Sequence, residues 1–412
     1  MGFALDTLSI IGLSTLIFTT FILLLVWALN FAESKLVNKG KVKLTINDDE
    51  EKSPEVEAGT NLLFTLSDND IYLPSACGGQ GTCGMCTCQI TEGGGDVLPT
   101  EESQLTRKQI KNNERLACQI KVKQDMTIQI PDEIFNIQKF ECTVRSNDNV
   151  ATFIKELVLE LPKGEHMDFE AGGYIQIYIP PYKLSYKEFD IEEQYREDWD
   201  KYKLWDLNGS NDEEIFRAYS MANHPAEGEI VMLNVRIVTP PPGTDFPPGI
   251  SSSFIFNLKA GDKVTVSGPY GEFFIKDTDR EKMYIGGGAG MAPMRSHLFH
   301  LFHTVKTGVK VSFWYGARSK REMFYDDQFK AIAEKYPNFS YNVALSEPME
   351  EDNWDGPVGF IHQVVHDTYL KDHEAPEDIE YYLCGPPMMI SAVNNMLYNQ
   401  GVEKEMIAFD EF

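Results

Sequence analysis

Between Asp6 and Glu33 the chain carries no charged residue, and Leu8–Phe31 is dominated by Leu, Ile, Phe and Val. About 20 apolar residues cross a hydrocarbon core as a helix, so this stretch predicts a membrane span with some tilt. Trp27 stands near one end, where an amphipathic ring favours the interface. The hydroxyls of Ser14, Thr15, Thr19 and Thr20 either bond their own backbone or help pack a second helix. A cleaved signal peptide would begin with basic residues. Here Met1–Asp6 has none, while Lys35, Lys39, Lys41 and Lys43 follow the apolar run. The positive-inside rule therefore predicts a single-pass anchor at 1–34, with the remainder on the cytoplasmic side.

Beyond the anchor the apolar pattern shortens to period two. Val42, Leu44 and Ile46, and later Met126, Ile128 and Ile130, alternate with polar neighbours as half-buried strands do, and they frame a domain at 35–131. From 132 to 278 come short strands at Phe140–Ser146, Ile154–Leu161, Tyr174–Pro180, Ile230–Val238 and Lys263–Ser267. Sharp turns at 240–243 and 247–249 punctuate them, and the set predicts a small antiparallel β-barrel. The stretch 181–216, crowded with aromatic and acidic residues, interrupts the barrel as an insertion. It is either a surface subdomain with its own aromatic core or a surface for docking a partner. From 279 to 412 strands at Met283–Ile285, Val309–Tyr315, Tyr341–Leu345 and Tyr381–Cys384 alternate with helical stretches, which predicts an α/β domain with a parallel sheet.

Composition adds two constraints. A net charge of −26 argues against a nucleic-acid partner, which needs a positive surface. Of seven cysteines (Cys77, Cys83, Cys86, Cys88, Cys118, Cys142 and Cys384), four crowd between 77 and 88. Such crowding in a long chain points to metal ligation in a reducing compartment, not to a disulfide framework.

The crowded segment reads Cys77-Gly-Gly-Gln-Gly-Thr-Cys83-Gly-Met-Cys86, with Cys118 downstream. Four thiolates complete a 2Fe–2S centre, and glycines let the loop take positive φ angles and aim N–H groups at sulfur. A structural zinc site would need a second closely spaced pair, which is missing. The motif resembles the plant-type ferredoxin domain, with five residues instead of four between its first two cysteines. Cys77, Cys83, Cys86 and Cys118 are the expected ligands. Cys88, in an alternating strand pattern, reads as a small buried hydrophobe and stands as the alternative to Cys86.

Arg217-Ala-Tyr219-Ser220 resembles the R-x-Y-[ST] signature of the ferredoxin–NADP reductase superfamily. The resemblance implies FAD on the barrel, with Arg217 on its pyrophosphate, Tyr219 against the ring system and the Ser220 hydroxyl on flavin N5. Gly249, Ile250, Ser251 and Ser252 open an apolar-periodic helix whose first N–H groups suit the same pyrophosphate. Gly268-Pro-Tyr-Gly271-Glu-Phe273 matches the superfamily's exit from the barrel.

A strand runs into Gly286-Gly287-Gly288-Ala289-Gly290-Met291 and then a helix, the geometry that brings backbone N–H groups to a dinucleotide. Cys384-Gly385-Pro386-Pro387-Met388-Met389 resembles the superfamily's C-G-P-P-x-M motif, which places Cys384 beside nicotinamide C4, with Gly385, Pro386 and Met388 lining the site. Arg318, near a strand end, is a candidate for ribose or phosphate. The acid expected about twenty residues after the Gly-rich turn is absent, Lys310 standing there, so the choice of NADH rests on resemblance. In this superfamily an aromatic residue at the C-terminus covers the flavin; Phe412 is the first candidate and Phe409 the second. Ser220, Cys384 and Phe412 are thus the expected catalytic residues. His297, His300 and His303, and His362 with His366, are not expected to bind metal.

NADH delivers two electrons together and a 2Fe–2S cluster accepts one, so a flavin must stand between them. The expected fold is multidomain: a transmembrane helix, an α+β ferredoxin-like (β-grasp) domain, an antiparallel β-barrel for FAD and an α/β parallel-sheet domain for NADH. Over essentially all 412 residues this order resembles the NADH-oxidising F-subunit family of sodium-translocating NADH:quinone oxidoreductases, most specifically at Phe189–Trp205 and Arg217–Pro225. That resemblance implies a bacterial inner-membrane protein passing electrons to other membrane subunits and finally to quinone, with any sodium site in those partners. Two alternatives use the same modules: the reductase component of a multicomponent oxygenase, and a membrane redox sensor.

Overall fold

The structure is a computed structural model that describes residues 2–36, 40–241 and 243–410, and the chain divides into two compact units, Met1–Asn136 and Ile137–Phe412. The first helix is Gly2–Leu36. From Ile10 to Ala28 its side chains, Leu16, Phe18, Leu23 and Trp27 among them, stand exposed. An apolar surface of that extent is stable only against lipid or another apolar partner. The Thr15 and Thr19 hydroxyls donate to the carbonyls of Ile11 and Thr15 at 2.8 and 2.7 Å, which leaves no polar stripe along the helix at these positions.

In the rest of this unit the strands are β1 (Lys41–Ile46), β2 (Glu55–Glu57), β3 (Thr87–Glu92), β4 (Glu114–Leu116) and β5 (Met126–Gln129). They form one sheet in the order β2-β1-β5-β3-β4, in which β1 and β5 run parallel and pair Leu44 with Met126 and Ile46 with Ile128. The alternation legible in the sequence buries Val42, Leu44 and Ile46, and the helix Leu62–Ser67 buries Leu62, Leu63 and Leu66. Asn61 caps that helix by accepting from the Phe64 N–H at 2.9 Å.

A buried ion pair braces the segment beyond the cysteine loop. Arg115 donates to both carboxylate oxygens of Glu101 (3.0 and 2.7 Å) and to the carbonyls of Gly94, Gly95 and Asp96. The Leu116 N–H adds a bond to Glu101 Oε1. Burial opposes ionisation of Glu101, but the Arg115 guanidinium and two backbone N–H groups outweigh it and hold the carboxyl below its usual range. Removing one member strands the other in a dry site. Glu101→Ala is therefore expected to cost this unit about 3–5 kcal/mol, measured by denaturant unfolding; a loss under 1 kcal/mol would show the pair to be dispensable.

The second unit begins with a six-stranded antiparallel sheet curled into a barrel. Its strands are β6 (Gln138–Ala151), β7 (Ile154–Glu160), β8 (Tyr174–Ile179), β11 (Ile215–Ser220), β12 (Ile230–Arg236) and β13 (Lys263–Tyr270), in the order β11-β8-β13-β6-β7-β12. Phe140, Leu157, Ile175, Ile177, Leu233 and Val264 fill it. The insertion contributes a hairpin, β9 (Tyr182–Ser185) with β10 (Asn208–Asn211). Several of its aromatic residues point inward: Tyr186, Phe189 and Trp199 are buried, and Trp199 packs on Trp205 and on Phe256 of the helix Ile250–Asn257. The core they form is shared with Ile237 and Phe256, which lie outside the insertion.

The last sheet is wholly parallel: β14 (Lys282–Gly287), β15 (Val311–Ala317), β16 (Phe339–Leu345), β17 (Glu380–Cys384) and β18 (Ile407–Asp410), ordered β16-β15-β14-β17-β18. The sequence pattern does not predict β18. Four residues are too few to show alternation, and tertiary pairing with β17 defines the strand. The helix Met291–Phe299 fastens this sheet to the barrel. Arg295 grips both oxygens of Glu227 at 2.8 and 2.7 Å and donates to the Ala222 carbonyl, while the Ser296 hydroxyl donates to the Asn223 carbonyl. His297, fully buried, donates from Nε2 to the Phe273 carbonyl, and burial holds its pKa down at about 4, so the ring is neutral.

Candidate redox sites

The cysteine loop lies between the helix Leu62–Ser67 and β3. Its glycines 78, 79, 81 and 84 have φ values of 64°, 89°, 75° and 72°, a region L side chains rarely adopt, and a Cβ on Gly81 would fall 2.5 Å from Gln119 Nε2. The loop brings the thiols into pairs. Cys83 Sγ donates to Cys77 Sγ at 3.3 Å, and this bond, against burial, holds the Cys77 thiol down at about 3 while the Cys83 thiol is pushed up. Cys86 does the same for Cys118, which is held at about 7 with help from the Gln119 amide at 3.4 Å, and Cys86 is pushed up in turn. Sulfurs that share protons in this way are a donor set that iron, displacing those protons, fits. Cys88 is different: it sits buried on β3, opposite Arg115, and burial, with the Glu101 carboxylate, drives its thiol up to about 12 against the pull of Arg115.

On the barrel, Arg217, Tyr219 and Ser220 occupy the end of β11, paired with β8. The Tyr219 hydroxyl donates to Ser251 Oγ at 3.0 Å, which ties this strand to the first turn of the helix Ile250–Asn257. Gly249 caps that helix where a Cβ would stand 2.7 Å from Val238, and Ser252 Oγ accepts from the Val238 N–H at 3.1 Å. First-turn N–H groups without intrahelical partners, two serines and a nearby guanidinium are a donor set that suits a pyrophosphate.

The two sequence motifs of the parallel sheet meet at its carboxyl end. Gly288 takes a φ of 59°, and a Cβ on Gly290 would lie 2.3 Å from the Cys384 carbonyl. Only glycine allows the turn Gly287-Gly288-Ala289-Gly290-Met291 to rest on Cys384 and Gly385, beside Pro386. Such a close backbone cradle fits a dinucleotide. Met389, not Met388, packs here, its sulfur 3.0 Å from the Cβ position of Gly287, while Met388 is 87% exposed. Arg318 follows β15 and donates to Asp198 at 2.9 Å and to Glu322 at 3.4 Å. Phe409 is half exposed on β18, and Phe412 lies outside the described residues.

One residue of this site has no motif to announce it. Ser220 Oγ donates to Asp410 Oδ2 at 2.7 Å, and Asp410 is the register partner of Cys384. Asp410 thus joins the flavin strand to the nicotinamide loop. Burial pushes its carboxyl up to about 6 against the pull of Ser220. A folded pKa above the unfolded value gives stability that is complete below the unfolded pKa and lost as pH rises through about 6. Asp410→Asn, neutral at every pH, is expected to raise the thermal midpoint at pH 8, with a gain that shrinks as the pH falls to 5. Calorimetry showing a pH-independent shift would contradict the assignment.

Family models match three segments: a 2Fe-2S iron-sulfur cluster binding domain at 44–123, an oxidoreductase FAD-binding domain at 201–275 and an oxidoreductase NAD-binding domain at 284–395. Fold and site together define a flavin- and nicotinamide-dependent oxidoreductase that carries its own iron–sulfur domain. Among solved structures, the cytochrome P450 reductase GcoB of Amycolatopsis shares the fold (TM-score 0.63, 23% identity, 90% of this chain and 98% of that one). The ferredoxin reductase of carbazole 1,9a-dioxygenase is similar (0.58, 25%, 90% and 98%). Among curated relatives, the F subunit of the Na(+)-translocating NADH-quinone reductase of Idiomarina loihiensis is 57% identical over 96% of this chain and 97% of its own length. Its counterpart in Pasteurella multocida is 55% identical over 98% and 99%. The chain belongs to this family, the F subunits of Na(+)-translocating NADH-quinone reductases, and with its exposed apolar helix it is a membrane-anchored oxidoreductase.

Proposed function

We propose that this chain is the electron-entry component of a sodium-translocating NADH:quinone oxidoreductase, held in a bacterial inner membrane with its domains on the cytoplasmic side and delivering electrons to other subunits. The contact that carries this reading is Ser220–Asp410, which joins the strand bearing Arg217 and Tyr219 to the strand pair ending at Cys384. When bound, NADH and FAD supply hydride transfer and the 2Fe–2S cluster supplies single-electron transfer.

The chain's own work is positioning. Arg217 and the first turn from Gly249 to Ser252 would hold the FAD pyrophosphate, and Tyr219, fixed by Ser251, would set the ring plane. Ser220, oriented by Asp410, would present its hydroxyl to the ring edge. Gly288–Gly290 and Gly385 would seat the nicotinamide nucleotide, with the buried Cys384 thiol kept protonated beside it. Cys77, Cys83, Cys86 and Cys118 would ligate the cluster, and the C-terminal Phe412 would cover the flavin. The purified full chain should oxidise NADH rapidly with a soluble one-electron acceptor, and solubilised membranes should yield it with partner subunits. Co-purification with an oxygenase, and with no membrane protein, would contradict the reading.

A further inference from the structure

The carboxyl ends of the parallel strands give each part of a dinucleotide its place. Cys384 ends β17, and the Gly-rich turn ends its neighbour β14. The next strands outward are β15 and β16, each about 4.8 Å further on. A nicotinamide at Cys384 and a pyrophosphate at Gly288–Gly290 therefore put the adenosine half over the end of β15, where Arg318 follows Ala317. A guanidinium there is the natural partner of a 2′-phosphate.

This guanidinium is already engaged. Its Nη2 donates to Asp198 Oδ2 at 2.9 Å and to Glu322 Oε1 at 3.4 Å. The two carboxylates are 13% and 16% exposed, against 36% for Arg318. Neither is free to swing away. Asp198 comes from the aromatic insertion, next to the buried Trp199, whose Nε1 donates to the Thr152 carbonyl at 2.9 Å. The Thr152 N–H and hydroxyl both donate to Glu322. Insertion, barrel turn and nicotinamide domain thus close a ring of contacts around Arg318. At the tip of β16 the exposed Glu347 adds another negative charge, its N–H donating to the Arg318 carbonyl at 2.8 Å.

We propose that Asp198 is a specificity-determining residue that acts through Arg318: by neutralising it, the insertion selects against the 2′-phosphate of NADPH and leaves an acidic rim suited to the ribose hydroxyls of NADH. This rests on the nicotinamide reading given above. Discrimination of this kind comes from a repulsive element as much as from an attractive one. A 2′-phosphate arriving here must break a fixed ion pair and sit beside two partly buried carboxylates.

The test uses the full chain with Asp198→Asn, Glu322→Gln, Arg318→Gln and the double variant D198N/R318Q. Affinities for 2′,5′-ADP and 5′-AMP are read by calorimetry, and kcat/KM for NADPH and NADH with a soluble acceptor. Asp198→Asn should bind 2′,5′-ADP about tenfold tighter, the effect of removing one close like charge, with 5′-AMP unchanged. The NADPH-to-NADH ratio should rise in step, Glu322→Gln should shift both readouts the same way, and D198N/R318Q should lose the gain. A purely structural role would move both nucleotides together, and that result in both carboxylate variants overturns the proposal. Wild-type protein that binds neither nucleotide and leaves NADH unoxidised would instead refute the underlying reading.

Discussion

Cys86→Ser is expected to abolish the iron–sulfur centre, whereas Cys88→Ser is expected to leave it intact. The two residues are two positions apart, Cys86 at the end of the cysteine loop and Cys88 on β3, yet their surroundings oppose each other. Cys86 shares a proton with Cys118 at the mouth of a loop built from positive-φ glycines. Cys88 is buried beside the Arg115–Glu101 pair, where a charged thiolate would be unstable. Loss of a ligand thiolate should remove the iron and the reduced-cluster resonance entirely, since three sulfurs cannot complete the centre. Flavin reduction by NADH, which uses the other unit, should continue at near the parent rate. Iron analysis and electron paramagnetic resonance of the two variants decide the matter; the opposite pattern would move the fourth ligand to Cys88.

Gly290→Ala should be the most damaging single-methyl change in the nicotinamide domain. Its Cβ would sit 2.3 Å from the Cys384 carbonyl carbon and oxygen and 2.5 Å from the Gly385 nitrogen, all backbone atoms of a buried strand end. Nothing there is a flexible side chain that can turn aside, so the Gly-rich turn and the Cys384 loop must part. A displacement of about 1 Å at a site that positions a reacting carbon costs on the order of 10²-fold in rate. We expect kcat/KM for NADH to fall by that factor while FAD content, held by the barrel, is unchanged. Gly288→Ala, in open space but at a φ of 59°, should have a smaller effect. Equal losses in the two variants would show that backbone strain, not the contact with Cys384, governs the site.

Local pattern carried much of this architecture. The uncharged run before Glu33, the glycine-spaced cysteines and the strand–glycine–helix transition at Gly286–Met291 are each contiguous, so period and spacing reveal them. The features that escaped are those made by residues distant in sequence. Ser220 and Asp410 lie 190 positions apart, and Asp198 and Arg318 lie 120 apart. No window of helical or strand period spans such distances. The short β18 was hidden for a related reason: it exists because β17 offers an edge, not because its four residues alternate. That Met389, and not the expected Met388, packs against Gly287 likewise turned on which face of a helix meets that glycine.

Reducing equivalents enter from NADH at the second unit and leave through the iron–sulfur centre of the first. Anaerobic titration of the purified full chain with NADH, followed by absorbance and electron paramagnetic resonance on the same samples, tests it most directly. Flavin absorbance should bleach, and a reduced 2Fe–2S resonance should grow with added NADH. Full flavin bleaching with no cluster signal, in protein shown to contain iron, would contradict it.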